Sequence, residues 1–99
     1  MTVTEIQTEQ ELATQVGNLL RIYGWCKGKT RDSLGRHCIV GAVWSVTQVE
    51  YPGRAVVRDA FYRKLSRRTG FMCASDFNDH PQTRLNDVLE AVDAIAASN

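Results

Sequence analysis

GWCKGKTRDSLGRHC, residues 24–38, lies between two segments of helical pattern and follows neither helical nor strand periodicity. Three glycines, one tryptophan and two cysteines fall within these fifteen residues, so the stretch is either a chemical site or a structured connection. Structural zinc sites use ligand pairs two to four residues apart. Cys26, His37, Cys38, Cys73 and His80 supply no such C-x-x-C pair, which argues against a metal. A nucleophilic cysteine needs its thiolate favoured by a base or a helix N-terminus. Cys38 follows His37, but adjacent side chains seldom face each other, and no orienting acid stands near. Gly28-Lys29-Thr30 imitates the end of a phosphate loop. Only three residues separate Gly24 from Gly28, however, where that motif requires four. A connection remains. Gly24 is placed to end a helix. Asp32-Ser33-Leu34-Gly35 has Asp first and Gly fourth, the signature of a type I turn. A short β-hairpin near 28–38 is therefore expected. A lone hairpin is marginal in water and must pack on helices, with Trp25 as its anchor.

Working outward, the spacing predicts a mainly α protein of about four helices, over 8–23, 38–49, 54–69 and 83–97. Thr8-Glu9-Gln10-Glu11 matches a capping box. Leu12, Val16, Leu19, Leu20 and Tyr23 then share one helix face. In the second segment Ile39, Val43 and Val46 share a face, with Val40 and Trp44 beside it. Its β-branched residues also fit a strand, but twelve residues favour a helix. Gly41-Ala42 would let another backbone approach closely. The third helix follows the breaker Tyr51-Pro52-Gly53 and stops at Gly70, with Val57, Phe61 and Leu65 spaced by four and Ala60 beside them. The fourth carries Leu85, Val88, Leu89, Val92, Ile95 and Ala96 behind a Thr83 N-cap, with Pro81 just before it.

Length and composition fit one globular domain over residues 1–99. The chain is 43% hydrophobic and 23% charged, ordinary values for a folded protein. Its longest apolar run, Cys38 to Trp44, is far short of the ~20 residues a membrane helix needs. Met1–Glu5 lacks the basic and apolar regions of a signal peptide. Three cysteines make an odd count, which suits free, packed thiols in a reducing compartment. A cytoplasmic protein without cofactor or membrane association is expected.

Net charge is +1 but unevenly placed: −3 over residues 1–20, +8 over 21–68 and −4 over 69–99. The acidic ends either fold against the basic middle or leave a molecule of two faces. Two polar groups are candidate binding residues. The first is Arg54, Arg58, Arg63, Lys64, Arg67 and Arg68 on the third helix. There the i, i+4 pairs Arg63/Arg67 and Lys64/Arg68 repel by a few tenths of a kcal/mol each. The second is Asp76, Asn78, Asp79 and His80. These could act as acid and base or hold a cation, although no calcium loop is present and turn chemistry explains the same residues. No RNA-recognition aromatic motif or zinc finger accompanies the arginines.

Gly24, Trp25 and Gly28, then Asp32, Gly35 and Cys38, the Gly41-Ala42 pair, and Asn78-Asp79-x-Pro81 together form a pattern. It resembles a small uncharacterised family of actinobacteria and their phages, whose members carry G-W-x-x-G, D-x-x-G-x-x-C and W-N-D-x-P motifs. Phe77 replaces the usual Trp of the last motif, and Tyr51 to Gly70 matches none of them. The resemblance implies a small bacterial or phage accessory protein with no assigned activity.

The resulting expectation is a non-catalytic protein-binding module. Its partner would be a host protein or complex that it inhibits or regulates, an anti-CRISPR being the most concrete version. One alternative is a nucleic-acid-binding accessory protein using the basic 54–68 helix. A second is a small hydrolase or ligand-binding protein using residues 76–80. Gly24, Trp25, Asp32, Gly35 and Cys38 are expected to be structural.

Overall fold

The computed structural model describes residues 6–47 and 54–98. The predicted breaker at 51–53, the N-terminal pentapeptide and the end of the predicted second helix at 48–49 lie outside the described residues. So does the side chain of Arg54.

The described residues form α1 (Glu9–Tyr23), α2 (Ile39–Val46), α3 (Arg54–Thr69), α4 (Ala74–Asp79) and α5 (Leu85–Ala96). The mainly helical class is as expected, with one helix more than the spacing predicts. α1 lies at the centre, packed on α5, α2 and α3, while α4 closes against α2 and α3.

Local chemistry explains the limits of each element. The Thr8 hydroxyl accepts the Glu11 N–H at 3.1 Å and starts α1. The reciprocal half of the predicted capping box differs, because the Glu11 carboxylate accepts from the Thr8 hydroxyl. Gly24 ends α1 at φ 97°, and its N–H bonds the Leu20 carbonyl at 2.9 Å. α2 stops at Val46, short of the expected 49. The Thr47 hydroxyl takes the Val43 carbonyl at 2.6 Å, alongside the Thr47 N–H, which closes the last turn. Gly70 ends α3 at φ 77°, as its position predicts. Thr83 is not the cap of α5. It sits buried in a turn, its N–H on the His80 carbonyl, and Asp87 reaches back to the Arg84 N–H at 2.8 Å instead.

The core draws on every helix. Leu12, Val16 and Leu20 of α1 meet Ile39 and Val43 of α2, Phe61 and Leu65 of α3, Phe77 of α4, and Val88, Val92 and Ile95 of α5. Tyr23, predicted on the buried stripe, lies exposed in the last turn of α1, with its ring edge-on to His37. Leu85 is likewise exposed at the first turn of α5, before the helix reaches the core.

The acidic ends do fold against the basic middle, in part. Glu9 pairs with Lys64 at 2.9 Å, and Arg21 pairs with Asp93. The Lys64 contact holds the Glu9 carboxyl below the usual carboxylate range.

Candidate functional site: the 24–38 loop and its junction with α4

The expected hairpin is reduced to a single antiparallel bridge, Arg31 with His37, and no extended strand forms. Its turn is as predicted: the Gly35 N–H reaches the Asp32 carbonyl at 3.1 Å. The Asp32 carboxylate also accepts the Leu34 and Arg36 N–H groups and the Arg36 guanidinium at 2.6 Å. The ladder stops because the second partner of His37 is Trp25, through a parallel bridge. The Cys26 N–H bonds the His37 carbonyl, and the His37 N–H bonds the Gly24 carbonyl, each at 3.0 Å. The loop is thus folded over itself rather than extended as a ribbon.

Asn78 locks this loop to the helices. It is 0% exposed and uses its full capacity of two accepted and two donated bonds. Its Oδ1 accepts Trp25 Nε1–H at 2.6 Å and the Ile39 N–H at 3.0 Å. Its Nδ2 donates to the Cys26 carbonyl at 3.1 Å and to Asp79 Oδ1 at 2.8 Å. Ile39 is the first residue of α2, so Asn78 caps that helix from another element. The Cys38 sulfur satisfies a second N–H of the same turn, that of Gly41, at 3.3 Å.

Asp79 extends the junction. Its Oδ1 accepts the Gly28 N–H at 2.9 Å. That bond and the Asn78 amide hold its carboxyl below the usual range. Lys27 lies 5.4 Å from the centre of the Trp25 ring and donates to the His80 carbonyl at 2.7 Å. The structure therefore joins Trp25 and Gly28 to Asn78 and Asp79, and backs them with the Lys27–His80 contact. The predicted anchor at Trp25 is half-buried, and its indole N–H is the donor to Asn78. Asp76 stands apart, exposed on α4.

Of the free cysteines, Cys26 and Cys38 are buried but Cys73 is exposed, against the expectation of three packed thiols. Burial pushes the Cys26 thiol up, which disfavours a thiolate there. Among the described residues, no three His, Cys, Asp or Glu side chains converge in a way that could hold a metal ion.

His37 is the one histidine of the loop. It is 8% exposed, with Nε2 3.3 Å from the Ser45 hydroxyl and Nδ1 buried without a hydrogen bond. Burial, and then the charge of Arg31, hold its imidazole below the usual range. The unfolded chain therefore takes up a proton first as pH falls below about 6.5, and stability declines from there down to the folded-state pKa. Thermal unfolding across that range should show a melting temperature that drops on acidification. His37→Gln should flatten the slope. An unchanged slope in that variant would assign the pH dependence to other groups.

The basic residues of α3 divide. Lys64 is taken by Glu9 and by the Ser98 hydroxyl, at 2.9 and 3.0 Å. Arg58 is half-buried, whereas Arg63, Arg67 and Arg68 are exposed. Among the described residues, none of these three arginines has a salt-bridge or hydrogen-bond partner.

No curated protein and no solved structure matches the chain. One family model does match, over residues 5–98, and it runs through the segment 51–70 where no motif could be placed. Since that match covers nearly the whole chain, the protein belongs to DUF6197, a family of unknown function.

Proposed function

We propose that this protein is a small protein-binding module without catalysis. Its most concrete version is an inhibitor or regulator of a host complex, of the kind that phages and mobile elements encode against defence systems such as CRISPR effectors. The observation that carries this reading is an apolar surface left open beside α2. Trp44 is 66% exposed and Met72 95% exposed. An open cavity of about 360 Å³ lies beside Met72, lined also by Val40, Tyr62, Cys73 and Ala74. Val40 sits one helical turn before Trp44 on α2. Large exposed apolar and aromatic side chains of this kind are the usual anchors of protein interfaces.

Two further facts favour binding over the alternatives. Asp79, the carboxylate of the 76–80 cluster that the fold brings to the loop, is engaged by the Gly28 N–H and the Asn78 amide. Arg67 and Arg68 of α3 face Asp87 and Glu90 across a groove, and those carboxylates oppose a phosphate backbone.

The test uses the folded protein as bait in bacterial lysate, alongside a Trp44→Ala/Met72→Ala variant. A specific partner should be retained by the wild type and lost by the variant, with the melting temperature within a few degrees. Retention of nothing, or of the same proteins by both baits, would sink the reading.

A further inference from the structure

α3 and α5 run antiparallel. Lys64 meets Ser98 at one end, and Thr69 lines the same groove as Asp87 at the other. That groove, about 580 Å³ and open, is walled by Arg67 and Arg68 on α3 and by Asp87 and Glu90 on α5, over a floor that includes Phe77 and Ala91. A second cavity of about 190 Å³ continues past Arg67 and Arg68 toward Ile95 and Ser98. The walls carry opposite charge yet form no ion pair across the groove among the described residues. Asp87 is bonded to the Arg84 main chain, and Glu90 has no partner there.

We infer that this groove is a self-association surface, filled by the same face of a second copy of the chain. The occupant must bring acids to α3 and bases to α5. A copy related by a two-fold axis does so with its own α5 and α3, so each contact is made twice. A small zwitterion does not meet the need as well. All four charged groups are exposed, and exposed pairs are worth about 0–1 kcal/mol each; a small ligand meets each wall once, whereas a two-fold copy makes every pair twice. The net charge of +1 puts little overall repulsion between copies. The surface does not use Trp44 or Met72, so its failure would leave the reading above standing.

Sedimentation velocity of the full chain over a concentration series, at low and high salt, tests the inference. A dimer is expected at low salt and should weaken at high salt, because exposed charges are screened. Arg67→Glu/Arg68→Glu and Glu90→Arg should each weaken it by about tenfold or more. Mixed in equal amounts, these two variants should recover a heterodimer, since the acidic face of one meets the basic face of the other. Asp76→Arg makes the same charge change on α4, outside the groove, and should keep the wild-type dimer. Circular dichroism of each variant confirms the fold. A wild type that stays monomeric at all concentrations overturns the inference. So does a dimer indifferent to the groove variants, or a mixture that behaves like its components.

Discussion

Replacing Asn78 with leucine should destabilise the protein by about 3–5 kcal/mol, a large part of the 5–15 kcal/mol typical of a domain. The side chain is similar in size and apolar, so packing is nearly kept and the loss is one of hydrogen bonds. Three groups would lose their partner: the buried Ile39 N–H and Cys26 carbonyl, and the part-buried Trp25 indole N–H. Each unpaired group costs roughly 1–3 kcal/mol. Asp79 is exposed and can turn to water, so it adds little. Asn78→Asp separates shape from chemistry. It keeps an acceptor for Trp25 and Ile39 but turns a second acceptor toward the Cys26 carbonyl and the Asp79 carboxylate. Such a buried carboxyl has its pKa raised above the unfolded value, so its penalty is full above the folded pKa and shrinks as pH falls. The wild type moves the other way, through His37 and Asp79. Urea unfolding at neutral and mildly acidic pH reads both effects. A leucine variant within 1 kcal/mol of wild type would falsify the role given to Asn78.

Gly41→Ala is the second large effect, and its sign runs against expectation for a helix. In an ordinary helix interior, glycine to alanine is worth about 1 kcal/mol of stabilisation. Here a Cβ would stand 1.9 Å from the Thr30 carbonyl oxygen and 2.7 Å from its carbon, both main-chain atoms. The loop would have to retreat by more than 1 Å, pulling apart the Cys38 N–H and Thr30 carbonyl, now 3.3 Å apart, and the Arg31–His37 bridge beside them. A loss of about 3 kcal/mol is expected, at the upper end of overpacking costs. Denaturant unfolding measures it. A variant more stable than wild type would mean that α2 and the loop do not meet as described.

The two sites differ in how far they could be read from residues alone. Gly41 beside Ala42 already announces a close backbone approach, because only small side chains allow one. α1, α3 and α5 are legible for similar reasons: the Thr8 cap of α1, the glycine stops of α1 and α3 and the apolar spacing of all three are local, whereas the cap of α5 falls on Arg84 and Asp87 and not on Thr83. α4 is not. Six residues make fewer than two turns, too short to display a period, and its Asn and Asp residues look like turn formers. Those side chains do bond main chain, but that of Cys26 and Gly28, 52 and 51 residues away. No local pattern encodes a partner so distant. The convergence of G-W-x-x-G with N-D-x-P was visible only as two motifs in one chain, without the contact between them. His37 was equally opaque, since one residue bridging two segments breaks the ladder that alternation predicts.

The capping of α2 by Asn78 has a consequence for the order of folding. α2 is eight residues long, too short to hold its shape alone in water. One of its first-turn N–H groups waits for an amide that lies 39 residues further along the chain. During synthesis the segment 39–46 therefore emerges well before its cap exists, and lacks that bond until α4 has left the ribosome. The shared Asn78 bonds make α2, the 24–38 loop and α4 the expected cooperative unit, completed last at α4.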